Sequence, residues 1–121
     1  VNSRRERWRV RLTCAAAADF DQILHWAAGR FGAAQARAYA ETLSAAIAAL
    51  TEGPRVAGAR ARDDITRGLF ALHVARGGRK GRHVVLFRVG LPAKPPTIDI
   101  LRLLHDAMDL PRHVEPDEDG R

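Results

Sequence analysis

The sequence predicts an α+β domain of order β-α-α-β-β-β, with a helical hairpin packed on one face of a mainly antiparallel sheet. Three observations predict it. Residues 8–12 alternate apolar and basic side chains, the two-residue period of a half-buried strand. Residues 15–50 carry two apolar stripes at three- and four-residue steps, interrupted at Gly32. Residues 69–104 hold three β-rich runs separated by glycine- and proline-rich segments.

Trp8-Arg9-Val10-Arg11-Leu12 is the first strand, and Thr13 follows as a helix N-cap whose hydroxyl can accept a bond from an orphan amide. Ala16, Phe20, Ile23, Leu24, Ala27, Ala28 and Phe31 line one face of a helix over 15–31, and Gly32 supplies a left-handed C-cap. The second stripe, Ala36, Tyr39, Ala40, Leu43, Ile47 and Leu50, ends at Gly53-Pro54, because proline has no amide to continue the ladder. Two helices joined at one glycine make an αα-hairpin, and its many alanines allow close packing. Residues 54–67 read as a basic loop. Strands follow over 69–75, 82–89 and 97–104. Arg76-Gly77-Gly78-Arg79-Lys80-Gly81 is the turn between the first two, and 90–96, with three prolines, separates the last two. Residues 105–113 suit a short turn or helix, and 115–120 a disordered acidic tail. One domain over 1–114 and a tail over 115–121 are therefore expected.

With 121 residues, 46% of them hydrophobic, the chain suits one modest core and leaves no room for a two-domain enzyme built around a large cofactor. No cofactor is expected. Cys14 is the sole cysteine, so an intrachain disulfide or a cysteine-based zinc site is excluded, and it reads as a small filler residue. No apolar run approaches the roughly 20 residues that span a bilayer, and the basic start lacks the apolar segment of a secretory signal. A cytoplasmic protein without membrane contact is the expectation. Twenty Lys+Arg against 14 Asp+Glu give a net charge of +6, distributed unevenly. Residues 14–52 hold two arginines against four carboxylates, 53–102 eleven basic residues against three aspartates, and 115–121 four acids against one arginine. Eighteen of the 20 basic residues are arginine, the side chain that grips phosphate or carboxylate with a two-pronged fork. A polyanionic or acidic partner is the natural reading.

A regular hairpin setting Ala75 opposite Arg82 puts Phe70, Leu72, Val74, His83, Val85, Phe87 and Val89 on the face that receives the helices. His73, Arg82 and Arg88 then share the open face. Arg102 alternates with Ile98, Ile100 and Leu104, and is assigned to the open face because an unpaired mid-strand arginine is costly to bury. His25, His73, His83, His105 and His113 show no metal-ligand spacing, so no metal site is expected. Metal-free RNA cleavage needs a base for the 2′-hydroxyl, cations for the phosphorane and an acid for the leaving oxygen. Arg88, Arg102 and His105, with Lys80 nearby, can supply the last two. No base stands near them in the pattern, and the one tyrosine, Tyr39, reads as core.

Several segments then combine. Trp8-Arg9-Val10-Arg11-Leu12-Thr13 leads into Ala18-Asp19-Phe20-Asp21-Gln22-Ile23, and Arg30-Phe31-Gly32 precedes Gln35-Ala36-Arg37-Ala38-Tyr39. Gly53-Pro54-Arg55, Gly68-Leu69 and Gly81-Arg82-His83-Val84-Val85-Leu86-Phe87-Arg88 follow, before the closing run from Ile98 to His113. In order and spacing, over roughly residues 8–114, these resemble the RelE/ParE superfamily of bacterial type II toxins. The Leu103-Leu104-His105-Asp106-Ala107-Met108-Asp109 ending resembles the ParE branch more than the RelE branch. The resemblance implies a toxin without catalysis of its own, which binds DNA gyrase and stabilises its cleaved-DNA complex. The alternative it implies is a RelE-like, ribosome-dependent mRNA endoribonuclease acting through Arg88, Arg102, His105 and Lys80, although the lysine-rich loop and terminal tyrosine of that branch are missing. A non-toxic basic binding domain is the third reading. Target-binding candidates are His73, Arg79, Lys80, Arg82, Arg88, Arg102 and His105. The resemblance also implies an acidic ParD-like antitoxin in a hetero-oligomer, with Phe20, Leu24, Trp26, Leu43 and Ile47 as its contacts.

Overall fold

β1 (Arg9–Leu12) passes into α1 (Cys14–Phe31) through Thr13. The Thr13 hydroxyl accepts from the Ala16 amide at 3.1 Å and donates to the Leu101 carbonyl at 3.0 Å. One side chain thus caps the helix, a contribution of about 1 kcal/mol, and ties its start to the sheet. α1 ends at Gly32, whose φ of 94° is one that side-chain-bearing residues avoid. α2 (Ala33–Ala49) begins on the next residue, and a 3₁₀ turn, Leu50–Glu52, carries the chain out to Gly53. In the computed structural model the described residues are 7–92, 94–108 and 110–113, so the acidic tail expected at 115–121 lies outside them.

Four more strands follow: β2 (Arg60–Ala61), β3 (Phe70–His73), β4 (His83–Val89) and β5 (Thr97–His105). Their order in the sheet is β1-β5-β4-β3-β2. The sheet is mixed, because β1 runs parallel to β5 while every other pairing is antiparallel. The helical hairpin returns the chain beside the sheet, and β1 meets β5 from a distance in sequence that no hairpin pattern encodes. β2 lies inside the segment read as a basic loop; two residues are too few to show a period.

The helices cover one face. Leu43, Leu50, Leu72, Val74, Val85, Phe87, Ile98 and Ile100 are fully buried there, and Phe70 stacks on Phe87 at 5.4 Å. The β3–β4 register, with Phe70 opposite Phe87 and His73 opposite Val84, is the one expected from the glycine turn. β5 departs from regularity: Leu86 pairs with Arg102 but Phe87 with Ile100, which leaves Leu101 as an inserted residue. Ile98 and Ile100 consequently pack under the helices and not on the open face where strand alternation puts them with Arg102. The helix-free face is not bare either. Leu69, Val84, Leu86 and Leu104 form a second buried cluster there, with Ile65 and Leu110 against it. Cys14 is exposed, so it fills no gap. Among the described residues no helix is long and apolar enough to cross a membrane.

Candidate functional site

Tyr39 occupies the apolar stripe of α2 but carries its hydroxyl to the start of β4. Gly81 makes that approach possible: a Cβ there would stand 2.8 Å from the Tyr39 oxygen and 2.6 Å from Val74 Cγ2. The hydroxyl accepts from the Arg82 amide at 3.1 Å and contacts His83 Nδ1 at 2.7 Å. The phenol oxygen thus joins the backbone at the start of β4 to the imidazole beside it. Burial raises the Tyr39 pKa above its usual value. Burial, with a further push from His105, lowers that of His83, so its ring is neutral at physiological pH.

The inserted residue in β5 sets His105 directly opposite His83, and the two rings meet edge to face at 5.4 Å. The Ala107 amide donates to His105 Nδ1 at 3.1 Å, so that nitrogen is an acceptor. Asp106 gathers the next group. It receives His73 Nε2 at 2.8 Å and Arg82 at 3.1–3.2 Å, while the Ala75 amide donates to His73 Nδ1 at 3.0 Å. The Arg82 fork and the His73 bond together hold the Asp106 carboxyl at a pKa of about 2. The cluster thus sets two imidazoles in edge-to-face contact, His83 and His105, beside a fixed cation–carboxylate pair.

Two adjoining clefts, of about 290 and 410 Å³, run along this cluster and share Trp26, His83 and His105. Their outer wall is aromatic. Trp26 and Phe31 are 53% and 58% exposed and meet edge to face at 5.6 Å, with the Arg30 guanidinium 5.8 Å from the Trp26 ring. Large exposed aromatics beside hydrogen-bond donors are the usual makings of a protein-docking groove.

Of the sequence candidates, His73, Arg82 and His105 converge around Asp106, and the exposed Arg79 and Lys80 stand on the adjoining turn. Arg88 does not converge with them. It lies opposite Asp99, five residues along β4 from His83, a separation of about 17 Å. Arg102 is not on the open face: its guanidinium forms a two-pronged pair with Asp19 of α1 at 2.7 and 2.9 Å, and the Leu103 amide donates to the same carboxylate at 2.9 Å. Among the antitoxin candidates Trp26 is exposed, Phe20, Leu24 and Ile47 are partly buried against the core, and Leu43 is wholly inside it and offers no surface. Tyr39, His83, Asp106 and Asp19 are the functional-site residues that the sequence pattern missed. The only local signal was Gly81 immediately before Arg82-His83. No group of three or more His, Cys, Asp or Glu suited to a metal ion occurs among the described residues.

Comparison with known proteins points one way. The family model described as the ParE toxin of the type II toxin-antitoxin system, parDE, matches residues 10–110. Toxin ParE1 of Caulobacter vibrioides is 34% identical over 104 residues, 86% of this chain and 95% of that protein. Toxin ParE1 of Mycobacterium tuberculosis is 33% identical over 106 residues, 88% of this chain and 97% of the relative. A solved structure described as the chromosomal ParDE TA system from P. aeruginosa superposes with a TM-score of 0.65 at 21% identity, covering 83% of this chain and 97% of its own.

Proposed function

The chain belongs to the ParE toxin family of type II toxin–antitoxin systems, and from that premise we propose that it poisons DNA gyrase by binding. In this reading it holds gyrase on cleaved DNA, has no catalysis of its own, and is kept inactive by an acidic ParD-like antitoxin. The observation that carries binding over RNA cleavage is the dispersal of the cations. Arg102 is committed to Asp19, and Arg88 stands at the far end of β4 from the imidazoles of His83 and His105. A phosphorane needs those charges on one oxygen cluster.

The antitoxin reading draws on the groove. An amphipathic acidic segment would set an apolar side chain against Trp26 and Phe31 and its carboxylates toward Arg82 and the two imidazoles. The relative described as a ParDE system supports an antitoxin of the ParD type.

The test is a supercoiling assay with purified gyrase. Inhibition with accumulation of cleaved DNA is expected, relieved by the cognate antitoxin. Unimpaired supercoiling at saturating toxin would refute gyrase as the target, and cleaved mRNA in a translating extract would establish the ribonuclease alternative.

A further inference from the structure

The two clefts along Trp26 share a pair of rings, since His83 of β4 and His105 of β5 line both of them. We propose that this pair is a proton-operated control of the groove, so that an acidic antitoxin segment is bound together with a proton and held more tightly as pH falls. The proposal rests on the antitoxin reading above and adds the regulation of that site.

The fixed charges of the groove are paired. Besides the two histidines, the charged side chains lining the clefts are Asp19, Arg102 and Arg82. Asp19 and Arg102 are locked to each other at 2.7 and 2.9 Å, and Arg82 is held by Asp106 at 3.1 Å. Arginine–carboxylate pairs keep their charges throughout the neutral range. Asp106 is secure in this respect, because Arg82 and His73 hold its carboxyl at a pKa of about 2. Tyr39, facing His83 from α2, keeps its proton, since burial raises its pKa. His25 and Arg30 of α1, and Arg79 and Lys80 of the turn before β4, line neither cleft. What remains is the imidazole pair, and imidazole is the side chain that changes charge between about pH 5 and 8.

In the free chain the packing opposes that change. His83 is buried, its Nδ1 lies 2.7 Å from the Tyr39 oxygen, and its ring meets that of His105 at 5.4 Å. A proton on either ring therefore works against a proton on the other. The His105 side chain is 40% exposed, but its Nδ1 accepts from the Ala107 amide, and a ring protonated on both nitrogens must give up that bond. His73, the third histidine of the cluster, is turned to Asp106 at 2.8 Å and lines neither cleft. A carboxylate entering beside Trp26 reverses the balance. Arg82 is already shared with Asp106, so the countercharge still to be had in the groove wall is a proton on the pair. Binding and protonation then favour each other by the same factor.

Calorimetry of the full chain with its cognate antitoxin, run near pH 7 in buffers of different ionisation enthalpy, counts the protons taken up. About one proton per toxin is expected, and affinity should rise about threefold to tenfold between pH 7.5 and pH 6.5. His83→Gln/His105→Gln should abolish the uptake and flatten the pH dependence. His105→Gln alone, at a part-exposed position, should lose half the uptake or more, and it gives a readout should the double variant fail to fold. His25→Gln should match the wild type in both. Binding without proton uptake, uptake unchanged in His105→Gln, or uptake lost with His73→Gln but kept by the pair variant would overturn the proposal and leave the antitoxin reading standing. No binding at either pH would refute the antitoxin reading itself, and this proposal with it.

Discussion

Tyr39 shows how a side chain on a helix's apolar stripe acquires a polar task. Its ring packs with the core while its hydroxyl joins the Arg82 amide to the His83 imidazole. The stripe position was legible in the sequence; the partners were not, because they lie 43 and 44 residues away and are reached only past the missing Cβ of Gly81. Tyr39→Phe should destabilise the fold by about 1–2 kcal/mol, since two polar groups lose their partner. The sign of the pH dependence follows from the lowered His83 pKa. Below about 6.5 the unfolded ring takes a proton that the folded ring resists, so stability is full above that pH and declines as pH falls through the folded pKa. His83→Gln should flatten that decline in a series of thermal melts. Asp106 follows the same direction lower down: its contribution is present above about 3.8 and is lost as pH falls through about 2.

At the scale of elements, one inserted residue in β5 decides which chemistry meets. Alternation alone puts Arg102 in phase with Ile98 and Ile100. The insertion at Leu101 breaks that phase, turning both isoleucines under the helices, and it brings His105 opposite His83. A bulge leaves no reliable mark in a run such as Ile98-Asp99-Ile100-Leu101-Arg102-Leu103-Leu104, where nearly every residue suits either face. The cost of burying an unpaired arginine assigns Arg102 to the open face; the structure instead meets that cost with a carboxylate, Asp19 on α1. That carboxylate also takes the Leu103 amide, so three donors fasten α1 to β5. Asp19→Ala should cost about 2–4 kcal/mol, because it takes the carboxylate from a partly buried guanidinium and the acceptor from the Leu103 amide. Asp19→Leu/Arg102→Met should recover much of the loss, since no charge is then left without a partner. Chemical denaturation of the single and double variants would measure both.

The whole molecule separates two surfaces by the thickness of the sheet: an aromatic groove at Trp26 and Phe31 beside the helical hairpin, and a helix-free face on which Arg88 lies. Trp26→Ala should weaken binding of a ParD-like antitoxin about 10- to 100-fold by calorimetry, as truncating an exposed aromatic anchor does. Arg88→Gln should leave that affinity nearly unchanged. Equal losses from both variants would mean that one partner spans both faces. The order of the elements apart from β2, the hairpin broken at one glycine, the β3–β4 register, the concentration of positive charge in the strand half and the resemblance to the toxin superfamily were all present in the sequence. These depend on local periodicity, capping and composition, which act between near neighbours. The parallel β1–β5 pairing, the β5 insertion, the Asp19–Arg102 pair and the Tyr39–His83–His105 contact were decided only in the tertiary structure. Each joins positions that a linear pattern does not relate, because the pairing is made across the fold between residues distant in sequence.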